Sequence, residues 1–270
     1  MNNISIANET IAITAAGQYQ CGGNTVKLTS PDPSAVRLIT PDMGRQLLEQ
    51  DTGSFTVYAE NHYSVTTEDS FSAAARLGGR VLVLNFANAH SPGGGFRLGA
   101  NAQEEALCRC STLYASITSD AAREMYRYNN SHISKVESDY MLISDDVCVF
   151  RDNNLELLEQ PFNVGVITAP APNRRGAAVF ASKNTINETF LRRIRIILRA
   201  AAAGGYSSIV LGAWGCGAFG NSPESVAAQF RIALVDDGME RFFSNICFPV
   251  LGMETSEKYT AFRKCFADRI

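Results

Sequence analysis

The sequence predicts an α/β fold, a three-layer α/β/α sandwich whose mostly parallel sheet is covered by helices on both faces. Three observations lead to this prediction. Short apolar runs rich in β-branched residues recur along the chain, as expected for strands buried on both faces of a sheet. Segments with helical patterns separate these runs, which is typical of βαβ units. The 270 residues, of which 46% are hydrophobic and 19% charged, suffice for a large core.

The strands and helices follow from these runs and from their end signals. Strands are predicted over residues 81–86, 164–168, 209–212 and 246–250. Helices are predicted over residues 68–77, 104–117, 186–203, 223–235 and 256–266. Thr66 or Thr67 precedes the first helix, and Gly204 ends the third. Ser222 caps the fourth helix, with Pro223 at its first position.

No long linker, internal repeat or low-complexity block divides the chain. We therefore predict a single domain over residues 1–270, in which residues 1–68 form an N-terminal elaboration packed on the core. Any boundary would lie near Asp69. The first residues lack a basic patch and an apolar stretch, and no run approaches the roughly 18 apolar residues of a membrane span, so we expect a soluble, cytoplasmic protein.

Cysteine count and charge narrow the class of function. The seven cysteines are scattered, without a CxxC pair or a histidine cluster, which favours reduced thiols and argues against a bound metal. The chain has 24 Lys and Arg residues and 27 Asp and Glu residues, which gives a net charge of −3. This balance argues against nonspecific, tight binding of long nucleic acids, but a small anionic ligand remains compatible with it.

Two glycine-rich loops follow predicted strands, at the sheet edge where α/β proteins bind ligands. The first, residues 87–96, contains three consecutive glycines whose N–H groups can turn toward an anion such as a diphosphate; an ordinary turn is the alternative. The second, residues 213–223, places glycines before a helix N-terminus, which favours a phosphate. Neither fits a P-loop or a dinucleotide fingerprint. Phe219 could stack on a purine, or it could be an apolar side chain that packs over the sheet.

Two adjacent carboxylates, Glu104 and Glu105, open the helix after the first loop. One glutamate in a first helical turn is ordinary, because the helix dipole favours it there. Two beside an anion-binding loop suggest chemistry, since nearby negative charge raises the pKa of a carboxyl group toward the range of a general acid. Neighbours on a helix point about 100° apart, at ~3.6 residues per turn. One glutamate should therefore transfer protons in glycosidic cleavage while the other holds substrate.

The glycines at 93–95, followed after seven residues by Gln-Glu-Glu at 103–105, resemble the signature of the poly(ADP-ribose) glycohydrolases. Residues 85–88 precede this motif as in that family, and residues 214–220 are similar to its second phosphate loop. The opening at 8–10, the segment 169–173 and the chain length resemble the compact microbial branch. The resemblance implies a macrodomain-like fold, with a mixed, mostly parallel sheet and an N-terminal extension.

The resemblance implies hydrolysis of the ribose–ribose O-glycosidic bonds of poly(ADP-ribose), with exo action, and without a metal or cofactor. Glu105 would protonate the departing ribose oxygen and then activate water, while Glu104 would hold the ribose hydroxyls. The substrate contacts implied are Asn88, Gly93, Gly94, Gly95, Gln103, Gly215, Cys216, Gly217, Ala218, Phe219 and Gly220. Partners would be poly(ADP-ribose) or ADP-ribosylated macromolecules, with ADP-ribose as product ligand. The process in which the protein acts would be the response to DNA damage. Asn85 departs from the acidic residue of the animal enzymes.

Two other functions share these motifs. An ADP-ribose reader would use both loops but needs no catalytic acid, and a hydrolase of single ADP-ribose units on protein or nucleic acid would differ little in sequence. Other residues have structural interpretations. Arg192, Arg195 and Arg199 form a helical stripe that is read as a solvated face rather than a polymer track. Cys216 lies where N–H groups could lower its pKa, but without a paired histidine it is not assigned as a nucleophile.

Overall fold

The computed structural model describes residues 2–28 and 36–270. Its helices are α1 (Asn3–Ala16), α2 (Pro41–Glu49), α3 (Ser70–Leu77), α4 (Gln103–Cys110), α5 (Leu113–Ile117), α6 (Arg123–Ser131), α7 (Lys183–Ala203), α8 (Pro223–Arg231) and α9 (Glu257–Cys265). Its strands are β1 (Gln18–Cys21), β2 (Asn24–Lys27), β3 (Val36–Ile39), β4 (His62–Thr66), β5 (Val81–Ala87), β6 (Met141–Arg151), β7 (Leu157–Pro170), β8 (Ser208–Val210) and β9 (Asn245–Pro249). Seven of these strands, β3 to β9, belong to a mixed sheet.

The described residues group into two compact units. The first comprises residues 2–28, 36–39, 85–132 and 140–170, and the second comprises residues 40–84, 133–139 and 171–270. The single-domain organisation stays a prediction. All seven cysteines are free thiols. No helix in the described part of the chain is both long and apolar enough to cross a bilayer.

The first unit is built on antiparallel pairing. β6 pairs with β3 on one side and with β7 on the other, and the β6–β7 register shifts between Ser144 and Val147. The β1–β2 hairpin and α1 close a small core against β6. That core consists of Ile13, Tyr19, Leu28, Cys148 and Phe150. The C-terminal end of β5 enters this unit, so the loop after β5 and the helix α4 belong to it.

The second unit carries the parallel strands, in the order β5, β8, β9, β4. Their apolar side chains are buried, as the continuous hydrophobic runs predict. α8 and α9 pack together through aromatic rings, with Phe230, Phe248 and Phe262 in mutual contact. The α/β class and the mixed, mostly parallel sheet are therefore confirmed.

Several predicted boundaries are wrong for identifiable reasons. α3 begins at Ser70 because Asp69, not a threonine, caps it by accepting from the N–H groups of Phe71 and Ser72 at 2.9 and 3.1 Å. α7 begins three residues before the predicted start, after Ser182. β8 ends at Val210, before Gly212 with its φ of 74°. After Arg231 the predicted helix continues as a π-helix over Ile232–Asp236. The caps predicted at Gly204 and Ser222 are confirmed, and so is Pro223 at the first position of α8.

The helix predicted over 104–117 is two helices. Ser111 between them has an extended backbone and forms an isolated antiparallel bridge to Val149. The Ser111 hydroxyl donates to the Leu107 carbonyl, and the Thr112 hydroxyl accepts from the N–H of Cys148 at 3.0 Å. Hydroxyl side chains that bond to nearby backbone compete with a continuous helix, which explains the break.

Candidate active site

The first glycine loop leaves the C-terminal end of β5 and is held by its own hydrogen bonds. The Asn88 Oδ1 atom accepts from the N–H groups of His90 and Ser91 at 2.9 and 3.0 Å. Gly94 N–H donates to the Ser91 carbonyl, and Phe96 N–H donates to the Gly93 carbonyl. Phe96 is fully buried, so the loop is anchored into the core at its far end.

Close packing requires glycine throughout this run. A Cβ atom on Gly94 would lie 2.4 Å from Glu105 Oε1, and one on Gly95 would lie 2.6 Å from the Cβ of Ala100. A Cβ on Gly93 would lie 2.9 Å from the Tyr114 ring. Gly93 and Gly94 also have φ angles of 72° and 54°, which favour glycine. The glycines thus let the loop backbone lie directly against a carboxylate.

Glu104 is buried and turned toward the end of β5. Its Oε1 accepts from Asn85 Nδ2 at 3.3 Å, and its Oε2 accepts from Asn88 N–H at 2.8 Å. Burial raises its pKa to about 8, and the charge of Glu105 adds to the rise, whereas the hydrogen bonds from Asn88, Asn85 and Gly93 oppose it. At neutral pH this carboxyl group is therefore mostly protonated.

Glu105 is also buried, but its carboxylate has different partners. Its Oε1 accepts from Gly95 N–H and its Oε2 accepts from Ala102 N–H, both at 2.9 Å. The first of these donors comes from the glycine loop and the second from the residue that precedes α4. Among the described residues the two neighbouring carboxyl groups share no hydrogen-bond partner, as expected from their different directions around the helix.

Gln103 fastens α4 to the strand, because its Oε1 accepts from Phe86 N–H at 2.9 Å. The first unit thus brings together the candidate residues Asn88, Gly93, Gly94, Gly95, Gln103, Glu104 and Glu105. Three buried residues near them were not among the predicted site residues. They are Asn85, Tyr126 and Arg109.

Asn85 and Tyr126 lie close to Glu104. Asn85 Nδ2 donates to Thr168 Oγ1 at 3.2 Å as well as to Glu104, and its Oδ1 has no hydrogen-bond partner among the described residues. The Tyr126 hydroxyl is likewise unpartnered within residues 2–28 and 36–270. Burial raises the pKa of Tyr126, and the charge of Glu104 contributes to that rise. Only Asn85 could have been singled out from sequence, as the departure noted above.

The second glycine loop belongs to the second unit and is anchored by buried side chains. Trp214 is fully buried edge-on against Phe190, with ring centroids 5.2 Å apart. Asn221 Nδ2 donates to the carbonyls of Pro172 and Gly215 at 2.8 and 2.9 Å. A Cβ on Gly215 would lie 2.7 Å from the Ala171 Cβ. The loop is therefore a fixed backbone structure before α8.

The predicted contacts on this loop differ in exposure. Gly217 and Ala218 are exposed, whereas Cys216, Phe219 and Gly220 are partly buried. Phe219 is thus neither fully buried in the core nor fully exposed. Its carbonyl accepts from Arg174 N–H at 3.0 Å. Burial raises the pKa of Cys216 to about 12, so the thiol is not activated as a nucleophile.

A cavity of about 360 Å³ adjoins this loop in the second unit. It is lined by Arg174, Arg175, Cys216, Gly220, Asn221, Ser222, Pro223, Glu257 and Lys258. Three of these side chains are cationic and one is anionic. In the described chain, Arg174, Arg175 and Lys258 form no ion pair, so the lining suits an anionic group.

The arginines of α7 are engaged within the protein. Arg192 and the fully buried Arg193 both pair with Asp139, at 2.6 and 2.8 Å. Arg195 pairs with Asp237 at 2.7 Å, and Arg199 donates to a backbone carbonyl. The three arginines of the predicted stripe, Arg192, Arg195 and Arg199, therefore each have a partner within the protein while their side chains stay partly exposed.

Comparisons with known proteins give a family match and several similar solved structures. The family described as microbial-type PARG, catalytic domain, matches residues 7–152. The solved structure of poly(ADP-ribose) glycohydrolase (PARG) from Thermomonospora curvata is 37% identical, with a TM-score of 0.91, and the match covers 98% of this chain and 99% of that chain. The structure of the same bacterial enzyme bound to the inhibitor ADP-HPD is 36% identical, with a TM-score of 0.88 and coverage of 97% and 98%.

A second bacterial structure is similar over slightly less of the chain. The poly(ADP-ribose) glycohydrolase from Deinococcus radiodurans in complex with ADP-ribose is 38% identical, with a TM-score of 0.79, and the match covers 90% of this chain and 99% of that chain. A search among curated proteins gave no match.

Proposed function

The chain belongs to the microbial-type poly(ADP-ribose) glycohydrolases and is a glycosidase that acts on poly(ADP-ribose), and from this premise we propose that Glu105 is its general acid and base. The observation that carries this proposal is the position of the Glu105 carboxylate, buried against the glycine loop with one backbone N–H on each oxygen. A carboxyl group fixed in this way is oriented before substrate arrives, as proton transfer requires.

In the proposed reaction, Glu105 donates its proton to the ribose oxygen that leaves. The bond between this oxygen and the anomeric carbon breaks, and its electron pair stays on the oxygen. The resulting Glu105 carboxylate then takes a proton from water as the water oxygen attacks the oxocarbenium-like carbon. The products are ADP-ribose and a shortened chain, and Glu105 regains its proton.

Glu104 is proposed to hold the ribose hydroxyls. With a pKa of about 8 it is largely neutral near pH 7, so it can both donate and accept hydrogen bonds there. Its neutrality also removes one negative charge from a site that takes an anionic substrate. The same raised pKa makes Glu104 the second candidate for the general acid, since a protonated carboxyl group is what that role needs.

The two glycine loops are proposed to bind the diphosphate and nucleoside of ADP-ribose. On the first loop the contacts would be Gly93, Gly94 and Gly95, with Asn88 and Gln103 beside them. On the second loop the contacts would be Gly215, Cys216, Gly217, Ala218, Phe219 and Gly220. The structures of relatives with ADP-ribose and ADP-HPD support this proposal, because both ligands contain the ADP group.

Exo action on chain ends, and a reduced cytoplasmic setting, remain part of the proposal. The free thiols are compatible with that setting. We expect poly(ADP-ribose) and ADP-ribosylated macromolecules as partners and no tight nonspecific binding of nucleic acid, since the net charge is −3. Short oligomers as the main early product of a polymer digest would contradict exo action.

The deciding experiment compares Glu105→Gln with Glu104→Gln. Release of ADP-ribose from purified poly(ADP-ribose) is measured together with the affinity for ADP-ribose. We expect Glu105→Gln to lose turnover by at least about a hundredfold while it retains ADP-ribose binding. We expect Glu104→Gln to keep more turnover and to raise KM. The reverse order would assign the acid to Glu104, and binding without any wild-type turnover would indicate a reader.

A further inference from the structure

Arg109 is a buried cation one helical turn after Glu105 on α4. It is 1% exposed, and no carboxylate in residues 2–28 or 36–270 forms an ion pair with it. Burial lowers its pKa, although the charges of Cys110, Glu105 and Cys108 oppose that effect. Placing a guanidinium in the interior is unfavourable unless its N–H groups form hydrogen bonds. The use made of those donors therefore indicates what this residue does.

The guanidinium reaches back past the N-terminus of α4, as helical side chains point in that direction. Its Nη1 donates to the Ala100 carbonyl at 2.6 Å, and its Nη2 donates to the Asn101 Oδ1 atom. Both acceptors lie in the turn 99–102, which joins the short helix Phe96–Leu98 to α4. Arg109 thus fastens this turn to the helix that carries both glutamates.

The same turn supplies the surroundings of the Glu105 carboxylate. Ala102 N–H donates to Oε2, and Gly95 N–H donates to Oε1. Ala100 N–H donates to the Gly95 carbonyl at 3.1 Å, and its methyl group packs where a Gly95 side chain would be. Displacement of Ala100 would therefore move both amides that hold the carboxylate.

The N-terminal helix completes this arrangement. The buried Thr10 hydroxyl donates to the Arg109 carbonyl at 2.7 Å, and Asn3 Nδ2 donates to the Gly99 carbonyl at 3.0 Å. Gly99 packs against Ile4, to which a Cβ on Gly99 would lie at 3.1 Å. Helix α1 is therefore bonded at one end to the turn and farther along to α4.

We propose that Arg109 is a positioning residue for the catalytic carboxyl group of Glu105, which it acts on by fixing the turn 99–102. This inference rests on the proposed function of Glu105. Arg109 is buried beneath the turn, and its Nη1 and Nη2 donate to the turn, whereas its Nε has no hydrogen-bond partner among the described residues. Its effect on the reaction therefore passes through the turn to Glu105. The loss of Arg109 should lower kcat, because small displacements of a catalytic group are costly. It should leave ADP-ribose binding by the loops nearly unchanged.

The test compares Arg109→Met with Arg151→Met. Arg151 is a matched control because it is also a buried arginine of the first unit, 3% exposed, and also donates to a turn carbonyl, that of Leu155 at 2.8 Å. Its other partner is Glu9 on α1, at 2.7 Å, so it too is bonded to that helix. Thermal unfolding, ADP-ribose affinity, kcat and KM on poly(ADP-ribose) are measured for both.

We expect both variants to lose stability and only Arg109→Met to lose kcat, by about tenfold or more, with KM within about twofold of wild type. Arg109→Lys should recover part of kcat, because an ammonium can reach one of the two acceptors. Equal kcat in Arg109→Met and wild type, or an equal loss in both methionine variants, would overturn the inference.

A second pair covers the case in which Arg109→Met does not fold. Asn101→Ala removes one acceptor at an exposed position, and Asn153→Ala is the control at another exposed turn. We expect lower kcat only in Asn101→Ala; the same kcat in both would overturn the inference. If Glu105→Gln turns over as fast as wild type, the role of Glu105 itself is overturned. Turnover lost in Glu105→Gln but unchanged in the Arg109 and Asn101 variants overturns the inference alone.

Discussion

Gly94 lies where the loop backbone meets the Glu105 carboxylate, and this contact can be tested by adding one methyl group. In Gly94→Ala the new Cβ would lie 2.4 Å from Glu105 Oε1, so the carboxylate has to move. We expect turnover to fall by about a hundredfold or more. Measurement of kcat on poly(ADP-ribose) checks this.

The control is Gly17→Ala, because Gly17 has a similar φ of 65° and no atoms within 4 Å of its added Cβ. Both substitutions carry the left-handed backbone cost of about 1–2 kcal/mol. Only Gly94→Ala should lose activity; equal activity in the two variants would mean that the carboxylate tolerates displacement.

The raised pKa of Glu104 makes stability depend on pH in a defined direction. Its pKa is about 8 in the folded protein and near the usual value of 4.5 when unfolded. The stability that this group contributes is complete below pH 4.5 and is lost as the pH rises toward 8. Glu104→Gln imitates the neutral form. We therefore expect the unfolding free energy of Glu104→Gln minus that of wild type to rise between pH 4.5 and pH 8. The rise should be at most about 1.4 kcal/mol per pH unit.

Urea unfolding at several pH values measures this difference. Glu137, whose pKa is raised to about 7 by burial, is present in both proteins and cancels in the comparison. Parallel stability curves for Glu104→Gln and wild type would mean that Glu104 ionises normally.

The individual residues of the site were predictable to different degrees. The glycine run and the glutamate pair are local patterns with a chemical meaning, so both can be recognised from the sequence. Glu104 accepts from Asn85, whose side chain is also bonded to Thr168, 83 positions away from it in the chain. No short-range pattern relates such residues, since a strand pairing brings them together.

At the level of elements, buried strands and capped helices were the most predictable. Continuous apolar runs identified β5 and β9 nearly to the residue. The elements that were not predicted are α1, α2, α6, β1, β2, β3, β4 and β6. Helix α1 shows one reason: its apolar side chains form no clear stripe, although Ile6, Ala7, Thr10 and Ile13 are buried. Its burial depends on tertiary contacts that helical periodicity does not encode.

The break between α4 and α5 depends on hydroxyl groups, which gives an element-scale prediction. Thr112 is fully buried and its hydroxyl accepts from Cys148 N–H. In Thr112→Val this buried hydrogen bond is lost, and we expect a loss of about 1–3 kcal/mol in unfolding free energy. Thr118→Val is the control, because that hydroxyl is exposed and bonds to its own helix, so its loss should be within about 0.5 kcal/mol. Similar losses in both variants, measured by urea unfolding, would contradict this account.

At the scale of the whole molecule, the charge distribution limits how the polymer can be held. The net charge is −3, and the α7 arginines are paired with Asp139 and Asp237. The sequence showed the arginine stripe but not its partners, because Asp139 is more than fifty residues away from it. Arg174, Arg175 and Lys258, three cations without an ion pair in the described chain, line one cavity.

This distribution predicts a weak dependence of polymer binding on salt. A protein that contacts few phosphates should show a slope of about 1–2 for log KM against log salt, far below that of a many-phosphate track. Arg175→Gln should raise KM and lower the slope by about 1 if Arg175, whose side chain packs over Gly220, contacts a phosphate. Arg195→Gln should change neither, because Arg195 is already paired with Asp237. A steep wild-type slope, or equal effects of the two substitutions, would mean that the polymer extends along α7 after all.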